Sequence, residues 1–292
     1  MIFKQHPWQR WLFLLPAMAL YGVITLYPQI QSIYLSLFRW NGLGTMRFVG
    51  LHNFAMLKDD PVVRTAFGNV MHFLILNAGL QILVAFVLAY FLCQKIKGAK
   101  VFRFVFFLPV VISSSSVALL WYFMYNSDFG LLNTILRGLG LGVLIRPWLS
   151  DPAVARWTVF LPNTWQFVGW FMVIFIAAID RLPAEILEAA AIDGANNFHV
   201  FTRITFPMLK EVYGLCLIMA ASGTLQNFDT VYVLTRGGPI HLTELFATYA
   251  YWQFFTNYSF GYGSAIVVLI LILSIAIAFI VRKFSKNQGL EY

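Results

Sequence analysis

Residues 188–207 read EAAAIDGANNFHVFTRITFP and form a polar segment between two long apolar ones. The flanking segments, residues 157–179 and 212–228, carry no Asp, Glu, Lys or Arg. A helix needs roughly 20 predominantly apolar residues to cross a bilayer core of about 30 Å. We therefore interpret residues 188–207 as a loop between two membrane spans. The polar side chains of this loop must have a function outside the bilayer.

The composition indicates a protein that crosses the membrane several times. Of its 292 residues, 60% are hydrophobic and 11% are charged, and the mean hydropathy is +0.75, outside the range of ordinary globular domains. The segments without charged residues are 11–38, 65–94, 104–127, 157–179, 212–228 and 245–281. The fifth is short, but its apolar character continues beyond Asp229. We predict an all-α membrane protein with six transmembrane helices in a single domain over residues 1–292.

The distribution of cations predicts the orientation. Six spans put both termini on the same side, and Lys and Arg concentrate on the cytoplasmic side. With the termini inside, 12 of the 20 cations are cytoplasmic, including four within residues 95–103. We expect cytoplasmic termini, and contact between these cations and anionic lipid accounts for the net charge of +8. No basic and aromatic motif indicates a nucleic-acid partner.

The sequence holds no pattern typical of an enzyme or of a nucleotide-binding protein. The phosphate-binding pattern GxxxxGK[ST], a GxSxG nucleophile motif and an HExxH metal pair are absent, and five scattered histidines with two cysteines predict no metal site. A transporter with this sequence must therefore take its energy from an ion gradient or from a partner that hydrolyses nucleotide.

The polar loop has the features of two short helices. Pro183 can begin a helix without losing a hydrogen bond, and Glu185 and Glu188 follow in the early turns, where the helix dipole favours anions. Gly194 predicts a break, after which a second helix runs from Asn196 to about residue 206. An amphipathic helix lying on the membrane surface is the alternative, although such helices usually carry Lys and Arg on the polar face.

The loop resembles the EAA loop of permease subunits of bacterial ABC importers. Its spacing is Glu188-Ala189-Ala190, three residues, Gly194, nine residues, then Ile204-x-Phe206-Pro207. Other matching motifs, in the same order as in the carbohydrate-type permeases similar to the larger maltose permease and the glycerol-phosphate permease, are Leu108-Pro109, Asn126 with Phe129-Gly130 and Asn133, Ser150-Asp151-Pro152, Asn163-Thr164-Trp165, and Asn227-Phe228 followed by Leu234-Thr235-x-Gly237-Gly238-Pro239. Phe206 stands where leucine is usual, and Lys210 where proline is common.

The resemblance implies a type I ABC importer permease fold with a cytoplasmic EAA coupling loop over residues 180–211. It implies a multi-pass protein of the bacterial inner membrane that is not itself an enzyme. The partners implied are a second homologous permease, an ATPase dimer that binds ATP and Mg, an external solute-binding protein, a carbohydrate ligand and membrane lipids. The residues implied to couple this chain to the ATPase are Glu188, Ala189, Ala190, Asp193, Gly194 and Pro207.

Four residues match positions that line the sugar site in this family, namely Ser114, Asn163, Trp170 and Asn227. Polar side chains within a bilayer are costly unless they contact protein, water or ligand. Amides, a hydroxyl and an aromatic face suit a sugar, which offers hydroxyl groups and a flat apolar surface. An ordinary hydrogen bond between helices is the alternative for each polar residue.

Asp229 supports a different class of function. It is the one acid near a predicted span, as an ion-coupled secondary transporter would require. A proton relay needs further buried partners, which the sequence does not offer, and ion coupling gives no reason for the polar loop. We retain the secondary transporter as the alternative.

Overall fold

The computed structural model describes residues 7–94 and 96–286, so the predicted cytoplasmic cations Lys4 and Lys95 lie outside the described residues. The strands β1 (Phe38–Arg39) and β2 (Arg47–Phe48) form an antiparallel pair. The helices are α1 (Pro7–Tyr21), α2 (Tyr27–Ser36), α3 (His52–Asp59), α4 (Pro61–Ile75), α5 (Ile82–Cys93), α6 (Ala99–Val111), α7 (Ser114–Met124), α8 (Leu131–Gly138), α9 (Ala155–Ile179), α10 (Ala184–Ile192), α11 (Asn197–His199), α12 (Phe206–Met208), α13 (Lys210–Leu225), α14 (Asp229–Leu234), α15 (Phe246–Phe255) and α16 (Phe260–Lys286). Three π-helical segments, Gly22–Leu26, Leu76–Gln81 and Val200–Thr205, and a 3-10 helix, Gly142–Leu144, join some of them.

Four helical segments are long and apolar enough to cross a membrane by themselves: Phe13–Ser36, Pro61–Cys93, Ala155–Ile179 and Phe260–Lys283. They coincide with the first, second, fourth and sixth predicted spans. The third and fifth are pairs of helices bent by 99° and 71°, so the described chain has up to six spans if each bent pair counts as one. The prediction of an all-α membrane protein is confirmed, and the third and fifth predicted spans correspond to the two bent pairs.

The third span breaks at Ile112, where the backbone becomes extended between α6 and α7. Pro109 lies in the last turn of α6, where it removes a backbone hydrogen bond and weakens the helix. Gln166 on α9 donates from Nε2 to the carbonyl oxygen of Ile112 at 2.9 Å, which satisfies a group that the break leaves without a helical partner. Close packing also holds α6 on α9, because a Cβ at Gly169 would collide with the carbonyl oxygen of Phe106.

The fifth predicted span corresponds to a bent pair of helices. The helical run Asn197–Met208 includes Pro207, and the bend follows at Leu209, after which α13 starts at Lys210. Pro207 therefore lies in the last helical turn before the bend. At its other end α13 stops at Leu225, and α14 follows after a short irregular stretch that contains Asn227.

The chain divides into two compact units, one of residues up to Asp60 with Tyr249–Leu271, and one of Pro61–Thr248 with residues from Ile272 onward. In the first, the hydroxyls of Tyr249 and Tyr262 both donate to Oδ2 of Asp60, at 2.7 and 2.5 Å. In the second, α5, α9 and α13 form the core around buried residues such as Phe86, Met172, Phe175 and Cys216. The single permease domain over residues 1–292 stays a prediction.

Candidate functional site

A cavity of about 310 Å³ in the second unit lies where the broken helices meet. Helix α9 contributes Asn163, Phe167, Trp170 and Phe171, whose spacings of three and four residues put them on one face. The start of α7 and the segment from α13 to α14 supply the other walls. Irregular backbone at membrane depth is tolerated where it is buried in protein or lines a water-filled cavity, so both breaks indicate a functional space.

All four residues predicted to bind substrate line this cavity: Ser114, Asn163, Trp170 and Asn227. Ser114 and Asn163 are partly buried, Asn227 is only 8% exposed, and Trp170 is 41% exposed. They come from three separate parts of the chain, and the fold brings them together. Their role in binding stays a prediction.

The cavity also holds polar residues that the sequence interpretation did not select. Asn77 and Gln81 lie on the π-helical segment Leu76–Gln81, and both are buried. Their four-residue spacing inside the charge-free segment 65–94 is the signal that could have revealed them. Single π-helical turns within α-helices are frequent at functional sites.

Two buried amide atoms at the cavity have no hydrogen-bond partner in the described part of the chain. Asn77 donates from Nδ2 to Oγ1 of Thr224 at 2.8 Å, and its Oδ1 accepts nothing. Nδ2 of Asn227 donates to nothing. A buried polar group without a partner costs about 1 to 3 kcal/mol, so these amides favour a ligand that supplies a donor and an acceptor.

Other polar residues near the cavity have structural partners. Gln166 is 2% exposed, and its amide contacts the break after α6. Ser113 caps α7, because its hydroxyl accepts from the backbone N–H of Ser116 at 3.3 Å. Gln81 lies near the backbone carbonyls of Asn163 and Thr164, at 3.4 and 3.3 Å. Gln166 and Ser113 therefore make hydrogen bonds that support the fold.

The chemistry of the cavity suits a neutral ligand rich in hydroxyl groups. Phe167, Trp170 and Phe171 supply aromatic surface, and the amides supply donors and acceptors. Asp229 is the one acid among the described residues that line it, and its side chain is exposed. A proton relay would need further buried ionisable groups here.

The loop at 180–211 has the predicted break at Gly194. This residue has φ +76°, which glycine adopts without steric cost. The N–H of Ala195 donates to the carbonyl of Ala190 at 2.9 Å, which closes the end of α10 in a Schellman arrangement. Asn196 then caps the next helix by accepting from the N–H of His199 at 2.8 Å.

The outer surface of this loop is apolar and acidic. Ile192 and Phe198 are 87% and 71% exposed, and Glu188 and Ala189 are also exposed, whereas Ala190 is buried. The structure thus leaves the ring of Phe198 uncovered. Exposed large apolar residues beside acids form a surface suited to a protein partner. Asp193 is exposed beside the break at Gly194. Pro207 lies near the end of the loop, in α12, just before the bend.

The second half of the loop is fixed to the bundle by aromatic rings. Phe201 stacks on the buried Phe86 of α5 with ring centroids 4.9 Å apart, and Phe206 lies 5.8 Å from Phe86 and 5.5 Å from Tyr213. The hydroxyl of Tyr90 donates to the carbonyl of Asn197 at 2.9 Å. Phe206 therefore replaces the usual leucine in a site that accommodates a ring. A movement of the loop must displace α5 and α13 with it.

Comparison with known proteins identifies the family. Residues 81–288 match the family described as binding-protein-dependent transport system inner membrane component. The chain belongs to this family. The matched segment includes the whole cavity except Asn77, together with the entire polar loop. The protein is thus an inner membrane transport component, and the ion-coupled alternative is not favoured.

Relatives of this permease cover nearly its whole length. It is 37% identical to the probable ABC transporter permease protein YurN of Bacillus subtilis (strain 168), over 94% of this chain and 95% of that one. It is 36% identical to the lactose transport system permease protein LacF of Rhizobium radiobacter, over 82% and 81%. The fold matches a chain of a bacterial alginate ABC transporter crystallised with an alginate pentasaccharide-bound periplasmic protein, with a TM-score of 0.83 and 20% identity over 97% and 96%.

Proposed function

We propose that this permease is the membrane subunit of an ATP-driven importer for a sugar, a related polyol or an oligosaccharide. The observation that carries the proposal is the cavity, where Oδ1 of Asn77 and Nδ2 of Asn227, which lack partners among the described residues, lie with Asn163 and the ring of Trp170. Sugar hydroxyls both donate and accept hydrogen bonds, and the faces of sugar rings pack on aromatic side chains. The relatives named for lactose and alginate support the same class of substrate.

The cavity is open on one side of this chain, which supports a translocation pathway shared with a second homologous permease. Trp170, Gly223 and Gln226 line it and are exposed. The amide of Gln226 would be costly against lipid tails, because it would have no hydrogen-bond partner there. The exposed helix Phe13–Ser36 offers further surface for the second subunit and for membrane lipids.

We infer that energy arrives through the loop at 180–211. An ATPase dimer that binds ATP and Mg would contact Glu188, Ala189, Asp193 and Gly194, with the exposed Ile192 and Phe198 beside them and the buried Ala190 beneath this surface. This chain lacks the GxxxxGK[ST] pattern and so depends on a partner for hydrolysis. The loop and both termini would be cytoplasmic, and an external solute-binding protein would deliver the substrate on the other side.

Reconstitution tests this function. The complex of the permease with its ATPase and binding protein is placed in vesicles, and uptake of labelled mono- and oligosaccharides is followed with ATP inside or outside. We expect uptake of one of them that depends on the binding protein and on ATP at the loop side. Uptake driven by a proton gradient without ATP would contradict the proposal.

A charge reversal tests the contact with the ATPase. Glu188→Lys should weaken co-purification of the ATPase in a salt-dependent way, because it reverses a charge in the proposed interface. Glu185→Lys makes the same change one turn earlier on α10 and serves as the matched control. If Glu188→Lys retains as much ATPase as Glu185→Lys and the wild type do at low salt, Glu188 is not part of the interface.

A further inference from the structure

A second cavity, of about 390 Å³, lies in the first unit and shares no residue with the candidate site. Arg39 and Arg47 line it together with Trp40, Tyr258 and Ser259, and none of its eight lining residues is acidic. Hydrogen-bond donors and two permanent cations dominate its wall. The cavity therefore favours an anion.

The two arginines are directly opposite each other. Arg39 of β1 pairs with Arg47 of β2 in the antiparallel register, and like charges at opposed positions destabilise a strand pair. Among the described residues, neither Arg39 nor Arg47 has a carboxylate within ion-pair distance. An anion bound between the guanidinium groups would relieve the repulsion.

The backbone around this cavity is fixed in place. The carbonyl of Trp40 accepts from the N–H of Phe260 at 3.0 Å, and the two rings lie 5.3 Å apart. A Cβ at Gly261 would collide with the carbonyl oxygen of Phe38, so the strand pair and the start of α16 are in direct contact. Tyr258 adopts φ +51°, which is unusual for a bulky residue. The backbone that carries the donor side chains is thus fixed before any ligand binds.

The cavity lies where membrane spans begin and end. The span Phe13–Ser36 ends three residues before Arg39, and Phe260–Lys283 begins directly after Ser259. Trp and Tyr are enriched at this depth, where lipid headgroups meet water, and Tyr258 is 62% exposed. The planar fork of arginine matches a phosphate with two parallel hydrogen bonds.

We propose that this cavity binds the phosphodiester headgroup of an anionic phospholipid, held between Arg39 and Arg47 with Trp40 and Tyr258 beside the glycerol. The acyl chains would then follow the apolar surfaces of the two adjacent spans. The site is independent of the proposed sugar transport, because it rests on the first unit and on the membrane spans alone.

Native mass spectrometry of the intact transporter complex tests the proposal. The complex is titrated with phosphatidylglycerol and, separately, with phosphatidylcholine. The double variant Arg39→Gln with Arg47→Gln should bind phosphatidylglycerol at least about tenfold more weakly, since at least one hydrogen bond to a charged group is lost. Arg64→Gln, an exposed arginine at the start of α4, is the matched control and should bind it as the wild type does. Equal binding by the double variant would overturn the proposal.

Three further experiments test the site directly and distinguish the lipid from other ligands of the cavity. Photoactivatable phosphatidylglycerol in wild-type complexes should label peptides that contain residues 38–48 or 257–260, and labelling elsewhere alone would overturn the proposal without any variant. Displacement of the lipid by millimolar inorganic phosphate would identify a soluble anion as the ligand. A double variant that keeps the lipid but loses the external binding protein would identify the arginines as a protein contact.

Discussion

At the scale of single residues, the candidate binding site contains amide atoms that lack hydrogen-bond partners among the described residues. Asn227 is 8% exposed, and its Nδ2 has no acceptor within the described residues. Asn163 lies on the facing helix α9. Neither side chain is needed to close a helix break, in contrast to Gln166 with its bond to Ile112. This difference separates residues available to a ligand from residues that support the fold.

We expect Asn227→Ala and Asn163→Ala each to weaken substrate binding by about 1 to 3 kcal/mol, because a hydroxyl of the substrate loses its partner. Uptake at low substrate concentration should fall, while assembly with the ATPase is unchanged. Gln166→Ala is the contrasting variant and should lower assembly or thermal stability. If both asparagine variants transport at the wild-type rate at low concentration, these residues do not bind the substrate.

At the scale of elements, the loop consists of two short helices joined by a glycine turn and fixed by rings. A Cβ at Gly194 would meet nothing within 4 Å in this chain, so the space around it is open. Within this chain the requirement for glycine therefore comes from φ +76°, and the proposed approach of the ATPase would add a second requirement. Phe201 and Phe206 connect the same loop to α5 and α13.

Replacement of Gly194 can separate these two requirements. Asn tolerates the left-handed conformation, so Gly194→Asn should keep the turn but lower co-purification of the ATPase and substrate-stimulated hydrolysis. Gly194→Ala adds less bulk but costs roughly 1 to 2 kcal/mol of backbone strain. Gly98→Asn, at a glycine with φ +84° outside the loop, is the control. Full activity of Gly194→Asn with loss in Gly194→Ala would show that only the turn matters.

The aromatic contacts should transmit movement between the loop and the membrane helices. Phe201→Ala removes the ring that stacks on Phe86, so we expect the ATPase to bind and hydrolyse ATP with less substrate transported for each ATP. Phe201→Leu retains apolar volume and should recover part of the coupling. The measurement is the ratio of uptake to hydrolysis in vesicles, and an unchanged ratio in Phe201→Ala would contradict this role.

At the scale of the whole molecule, the described chain combines four continuous spans with two bent pairs. Both bends adjoin the cavity or the loop. The third span breaks beside Ser114, and the fifth breaks at Leu209 and again before Asn227. The core around Phe86 and Phe175 packs α5 and α9 against α13, and the cavity lies where α9 meets the breaks in the third and fifth spans.

Cysteine labelling checks the orientation of this bundle. Single cysteines introduced as Gly98→Cys, Ala195→Cys and Lys286→Cys should resist a membrane-impermeant thiol reagent in intact cells, whereas Gly140→Cys should react, because the cation bias places only the last outside. Cys93 and Cys216 are replaced by serine in all variants, and permeabilised cells confirm that each site can react. Labelling of residue 195 in intact cells would overturn the orientation.

The sequence by itself determined the spans, the polar loop and the break at Gly194. Hydropathy over 20 residues and the left-handed conformation of glycine are local properties, so they can be recognised without knowledge of the fold. The family motifs also pointed to Ser114, Asn163, Trp170 and Asn227, which the fold gathers around one cavity.

Only the tertiary structure decided the rest. The breaks at Ile112 and Leu209 depend on partners such as Gln166 and Phe86, and the convergence of Asn77 and Asn227 depends on how distant segments pack. The opposition of Arg39 and Arg47 depends on the strand register. The hydrophobic effect selects apolar segments without direction, whereas hydrogen bonds and close packing specify which residues meet, and those contacts join residues far apart in the sequence.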